Sequence, residues 1–583
     1  MKQLFFSTSS GVRLLLGLVF LGAALTSSWP LFSAKIPSGH DTYEYIPRLV
    51  EFHENIKHGI FLPRWAANLG NGHGEPFFIF NPPMIYYLGE IFLLGGSSVV
   101  NALNSASFLI VLLSGFFLFL LAREFWGPSG GIFGAVAYIY APYFHVVLYV
   151  RQALADFSAF MFLPLTIYAF YKSEQRRGFV ILASLALAGL LLSSNPIALV
   201  FFPVILLYLG LRLISFRNIP GFKRQSLALL LGLMISAYFW LPALLEKKFV
   251  KLDRLYEGYL NYQNHFVYLN QLWSSFWGYG ISLPGSGDGM SFQIGWLHLA
   301  LLPLAVMIAY RDRPRSWTTL DTKQPERFFH LTFFLGILLG SIFFSTYLSQ
   351  WLWHLLPLLQ IIEFPWRILT ITAFTSSFLA GAVFICLPPG RSRLLLLATL
   401  LPLILLFYQA HARPRESHRV DENSFSPRNI AQHHLAATTR LEYEPVFVKE
   451  LRAYTPDFEV LDGLIRPMRV IRHVDSLALD IQALQPSRLR VNIHYFPGWR
   501  LTIQGQEQPI DFSNRYGLME FGVATGYQRI LLRLQPSLVR AVSLGISRLG
   551  LLLLLGTTLW YLPLPRCPWF RFFHWRHRSK SSG

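Results

Sequence analysis

Two carboxylates stand three residues apart in the run Ser38-Gly39-His40-Asp41-Thr42-Tyr43-Glu44. On a helix that spacing puts Asp41 and Glu44 on one face. Carboxylates so placed can take a proton from an incoming hydroxyl or hold a metal ion. His40 could tune Asp41 or serve as a ligand itself. The same polar stretch runs on through Arg64 and Glu75, two further supporting side chains, to Pro83. A second group pairs Arg151 with Asp156, and a third Glu363 with Arg367. A guanidinium fork fits two oxygens of a phosphate, so Arg151 and Arg367 are phosphate-clamp residues by type. Plainer readings stand beside these. The acids could be ordinary helix caps in a solvated loop, Arg151 could simply pair with Asp156, and Arg367 could snorkel towards a membrane surface.

What must position these groups is a membrane scaffold. Of 583 residues, 53% are hydrophobic and 14% charged, against about 25% charged in soluble domains. Crossing the hydrocarbon layer takes about 20 apolar residues, and the backbone must then be helical. Windows at about 12–29, 99–122, 130–147, 153–172, 178–193, 196–214, 225–243, 292–310, 328–347, 367–387, 393–409 and 541–562 give an expected twelve spans. The first reads better as an uncleaved helix than as a signal peptide, since the apolar run continues past Ala23 and Ala24 to Phe32. A net charge of +19 would suit nucleic-acid binding, but the basic residues sit in short loops such as Lys172 to Arg177, Arg212 to Arg224, Arg311 to Arg327 and Arg391 to Arg393, and in the tail from Arg566. That is the positive-inside pattern. It predicts an inner or plasma membrane protein with both termini cytoplasmic, and puts segments 31–83, 244–291 and 348–366 outside.

Between 410 and 540 charges return and alternation replaces apolar blocks, as in Leu489 to Tyr495, Arg500 to Ile503 and Arg529 to Leu534. This is strand periodicity. The expected organisation is a transmembrane domain over 1–409, with its chemistry in the first external loop, an extracytoplasmic β-sandwich-like domain over 410–540, and a last span with a basic tail over 541–583. The glycine-rich run Gly285 to Gly289 has no strand before it and is not a nucleotide loop. Cys386 and Cys567 form no disulfide framework.

These clusters, in this order, resemble those of bacterial membrane glycosyltransferases of the GT-C fold class, and more narrowly the YfhO-like and "6-pyruvoyl-tetrahydropterin synthase-related" membrane proteins. The resemblance is carried by His40-Asp41, by Gly72 to Pro83 with Tyr86-Tyr87, by Arg151 to Asp156, by Trp240 to Ala243 with Glu246, by Phe364 to Arg367, by Glu442 to Pro445 and by Tyr495 to Trp499. It implies an acidic active-site residue in the first external loop, at Asp41. Glu44 departs from the closer acid spacing of that class, which leaves open a divalent cation, magnesium or manganese, held by Asp41 and Glu44.

The implied partners are a polyprenyl-phosphate-linked sugar, a glycan or protein acceptor in the cell envelope and membrane lipids, without nucleic acid. The expected step is an inverting transfer. Asp41 is the base, and Arg151 or Arg367 stabilises the departing phosphate. A transporter or flippase of lipid-linked glycans is the competing expectation, although ionisable residues there gather near the midplane. A non-catalytic envelope assembly protein is another.

Overall fold

The computed structural model describes residues 10–287, 289–313, 323–433, 435, 438 and 441–561. The basic tail and Arg315 lie outside them. Apolar helices dominate: α1 (Ser10–Ser27), α2 (Thr42–Lys57), α3 (Met84–Leu94), α4 (Val99–Ile139), α5 (Leu154–Gln175), α6 (Phe179–Leu191), α7 (Asn195–Phe216), α8 (Ile219–Leu245), α9 (Trp296–Arg311), α10 (Lys323–Ser345), α11 (Leu369–Ala380), α12 (Arg391–Tyr408) and α13 (Leu538–Tyr561). Among the described residues eight helical segments are long and apolar enough to cross a membrane, and four apolar helices are shorter. The chain is thus a multi-pass helical membrane protein, with eight full-length segments where twelve spans are expected.

Part of that difference lies in α4. Its 41 residues are broken at Gly127, whose φ of 77° and ψ of −179° are not helical. The chain folds back there. A methyl added at Gly131 would sit 3.0 Å from Phe119, and one at Gly115 would sit 3.1 Å from Ile139. Val99–Ile139 is therefore an antiparallel pair of helices, close to the expected 99–122 and 130–147. The second arm stops at Ile139, short of 147, because Pro142 follows. Its ring cannot continue the hydrogen-bond ladder, and the chain instead makes a short helix and a π-helical turn, Val146–Arg151.

At the basic-loop end, helices α5, α7 and α10 are tied by buried charges. Arg212 Nε donates to Glu174 at 2.5 Å, and its Nη atoms hold Glu326 at 2.7 and 2.9 Å. Charges at membrane depth persist when paired in this way.

Strands fill the later part of the expected β region. They are β1 (Phe458–Asp462), β2 (Ile465–His473), β3 (Ser476–Ala483), β4 (Ser487–His494), β5 (Trp499–Ile503), β6 (Gln506–Gln508), β7 (Leu518–Val523) and β8 (Gly526–Leu534). They form two antiparallel sheets, ordered β2-β3-β8-β5-β6 and β1-β4-β7. Inward residues of both, among them Leu479, Leu489, Leu501 and Ile530, share one core with Trp65, Ile79 and Phe80 of the first loop. Residues 410–433 run over the helical part instead, while 447–457 lie against the strands, with the Lys449 and Glu450 amides donating to Arg515 O. Ser417 and His418 pair with Pro37 and Ile36, and the Glu422 carboxylate accepts from the Val99 and Val100 amides at the start of α4, where a negative charge suits the helix dipole.

Candidate functional site

Four segments meet beside the start of α5. The first is the turn before α2. The His40 amide donates to Val150 O at 3.0 Å and the Asp41 amide to Arg151 O at 2.9 Å. Gln152 holds a left-handed φ of 50°, and its side chain accepts from Thr42 Oγ1 at 2.9 Å. These bonds from the first loop hold the unfavourable backbone at Gln152. Asp41 is thereby set at the N-cap of α2, yet its side chain makes no cap bond. Its carboxylate has no ion pair or hydrogen bond among the described residues, and it lies within electrostatic reach of Arg48, Arg367 and His40.

The second segment supplies Arg151 and Asp156, bonded at 2.9 Å. The third is the start of α7. Ser194 caps that helix through the Ile197 amide and donates to Asp156 Oδ1 at 2.7 Å. The fourth is the turn Glu363 to Ile368. Arg367 Nη1 holds Glu363 at 2.8 Å and Ile362 O at 2.9 Å, and its Nε stands 3.3 Å from Asp156 Oδ2. Trp366 lies under the Arg151 guanidinium, 4.5 Å from ring centre to Cζ, and stacks on Phe364. Burial pushes the Glu363 carboxyl up, opposed by Arg367 and reinforced by Glu442.

Four buried donors in this cluster make no hydrogen bond among the described residues: Tyr143 Oη, Arg151 Nη1, Trp366 Nε1 and Arg367 Nε, the last held only by its ion pair with Asp156. Buried polar groups are nearly always paired. A set of unmet N–H groups around two guanidinia is what an incoming oxyanion would satisfy. Arg151 and Asp156 do pair, as the plain reading had it, but the pair leaves donors over.

Residues 81–248 match the family model described as dolichyl-phosphate-mannose-protein mannosyltransferase. The matched stretch is less than a third of the chain. It contains Arg151, Asp156 and Ser194, and leaves out Asp41 and Arg367. A search of curated proteins finds no match. Among solved structures the chain is similar to the arabinofuranosyltransferase AftD from Mycobacteria, with 14% identity and a TM-score of 0.43 over 70% of this chain and 28% of that one. It is also similar to ArnT from Cupriavidus metallidurans, solved bound to undecaprenyl phosphate, with 15% identity and a TM-score of 0.39 over 67% of this chain and 64% of that one. The chain thus spans less than two thirds of the length of either. The narrower YfhO-like resemblance is not among these matches.

The remaining expected residues are placed elsewhere. Glu44 forms an ion pair with Arg48, one helical turn on. Among the described residues no group of three or more His, Cys, Asp or Glu side chains could hold a metal ion. His40 turns its Nε2 to Tyr279 O at 3.3 Å, and burial lowers its pKa. Arg64 is carried away from the cluster to Tyr238 on α8.

Glu75 lies under the β domain, 2% exposed. Burial, with Glu444 and Glu442 beside it, pushes its carboxyl up to about 8. Three residues at the cluster carry no site role in the sequence reading. Ser194 was visible as a cap before Asn195-Pro196, and Trp366 as the aromatic beside Arg367. Tyr143, which faces Arg151, Asp156 and Arg367, carried no signal inside its apolar run.

Proposed function

We propose that this chain is a membrane glycosyltransferase of the GT-C type, moving a sugar from a polyprenyl-phosphate donor to an acceptor in the cell envelope. The observation that carries the reading is the unpartnered Asp41 carboxylate beside two buried guanidinia with unmet N–H groups. The description of the matched family, a transferase using a sugar on a lipid phosphate, supports the same donor class. The basic loops gather at the opposite helix ends, which argues for an outward-facing site. Nucleotide sugars are cytoplasmic, so an outward site needs a donor that has already crossed.

In the proposed step an acceptor hydroxyl oxygen attacks the anomeric carbon. The bond from that carbon to the phosphate oxygen breaks, and the electron pair leaves with the lipid phosphate. Asp41 takes the hydroxyl proton. Arg151 and Arg367 meet the charge that grows on the phosphate, and do so best where water is excluded. Trp366 and Asp156 keep the two guanidinia oriented. Direct displacement inverts the anomeric centre.

The test is a transfer assay on purified protein in lipid nanodiscs with a panel of polyprenyl-phosphate sugars. Loss of a general base costs about 100- to 10,000-fold, so Asp41→Asn should fall by that range while its thermal unfolding stays near wild type. A variant that still turns over at the parental rate would remove Asp41 from the chemistry.

A further inference from the structure

A second charged site lies where the first loop, the end of α8 and the start of α13 meet. Arg64 is packed against α8. Its Nη2 donates to Tyr238 O, its Cζ stands 5.3 Å from the Tyr238 ring centre, and its Nη1 is buried without a hydrogen bond. No carboxylate pairs with it among the described residues. The acid within electrostatic reach is Glu246, which is already engaged. Arg540 Nε lies 3.4 Å from Glu246 Oε2, and Ser537 donates to Glu246 Oε1. Arg540, 4% exposed, also donates to Pro497 O through Nη2 and to Ser537 Oγ at 3.1 Å.

Two guanidinia thus lie in the field of one carboxylate, and only Arg540 pairs with it. Burial, with Arg540 adding to it, lowers the Arg64 pKa to about 10. An uncompensated charge taken out of water is costly, so this geometry calls for a counter-ion. Around it the surface is greasy. Phe61 is 69% exposed and Leu538 80%, with Leu62, Leu244, Leu245 and Val542 also exposed. Apolar surface of this kind at the end of a spanning helix faces lipid tails, and basic pockets between spanning helices take lipid headgroups.

We propose that Arg64, with Arg540 behind it, binds the phosphate of an anionic membrane phospholipid, whose acyl chains lie along Phe61, Leu62 and Leu538. This site is separate from the Arg151 and Arg367 cluster and does not depend on the transferase reading. A guanidinium presents a fork to a phosphate diester where an ammonium gives only a point charge, so Arg64→Lys is the conservative probe and Arg64→Gln the disruptive one.

The experiment uses the full chain in nanodiscs of phosphatidylcholine with a minor fraction of phosphatidylglycerol. After partial delipidation, retained lipid is read by native mass spectrometry. Wild type should keep phosphatidylglycerol selectively. Arg64→Gln should lose at least tenfold of that selectivity, Arg64→Lys should lose part of it, and Arg151→Gln should keep it. A second arm titrates inorganic phosphate in discs of phosphatidylcholine alone and follows thermal unfolding. If phosphate stabilises wild type but not Arg64→Gln, and phosphatidylglycerol shows no preference, the site takes free phosphate and the lipid assignment is overturned. Equal phosphatidylglycerol retention in wild type and Arg64→Gln overturns it too. Should Arg64→Gln not fold, the same comparison is read from Arg64→Lys, where unchanged retention counts against the proposal.

Discussion

At the level of single residues, what a side chain can do here is set by what it is paired with. Asp41 and Glu44 look alike in the sequence, but Arg48 stands four residues after Glu44 and takes it, as acid–base pairs at that helical spacing do. That pairing was readable, and it separates a free carboxylate from an occupied one. Glu75 is a different case, a buried acid without a paired cation among the described residues. Its pKa is about 8 in the fold against an ordinary 4.5, so folding favours the protonated form. The stability this contributes is complete below about pH 4.5 and drains away as pH rises to about 8. Glu75→Gln keeps the neutral shape. Its unfolding midpoint in detergent should be flatter than that of wild type between about pH 5 and 8, and higher by a few degrees at pH 8. Parallel pH curves for the two proteins would show that Glu75 is not the titrating group.

At the level of elements, hydropathy located the helices well and their continuity less well. The windows at 153–172, 196–214 and 393–409 differ from Leu154–Gln175, Asn195–Phe216 and Arg391–Tyr408 by a few residues. The window at 130–147 overran because Val146 to Val150 is as apolar as a span. Apolarity reports burial, and these residues are buried in a π turn rather than in a helix. The hairpin turn at Gly127 carries a sequence requirement of its own. With φ at +77° and ψ near 180° it occupies backbone space that side chains avoid, at a cost of about 1–3 kcal/mol. Gly127→Ala should lower thermal stability by that order even though the added methyl meets only Arg393 Nη1, at 3.4 Å. Gly17→Ala, on a helix with open space around it, is the control and should be neutral or slightly stabilising. Equal midpoints for the two variants would mean that the turn tolerates a side chain.

At the level of the whole molecule, the β domain and the first loop are built into each other, and no periodicity could have announced it. Alternation identified Leu489 to Tyr495 and Arg529 to Leu534 as strands, because period two reports which face is buried. It carries nothing about which distant loop will cover the sheet. The structure places His73 O against the His494 amide at 2.8 Å and Gly74 O against His494 Nδ1 at 3.0 Å. Gly74, at φ +82°, has no room for a side chain because Trp65 fills the space where a Cβ would go. Arg472 closes the junction, donating to Gly72 O at 2.7 Å and pairing with Asp457 at 2.8 Å. The same loop carries Asp41 at its other end, so the β domain steadies the segment that holds the proposed base. Arg472→Ala removes its charge-assisted bonds to Gly72 O and Asp457, each worth about 1–3 kcal/mol, and a longer one to Ala67 O at 3.4 Å, without touching the cluster at Arg151. The variant should show faster proteolysis between Gly59 and Pro76. Under the transferase reading, kcat should fall by about tenfold while donor binding stays unchanged, because the guanidinia that would hold the phosphate belong to other helices. If donor affinity fell with kcat, the loop and the phosphate clamp would be one cooperative unit, and the division of labour drawn between them would be wrong.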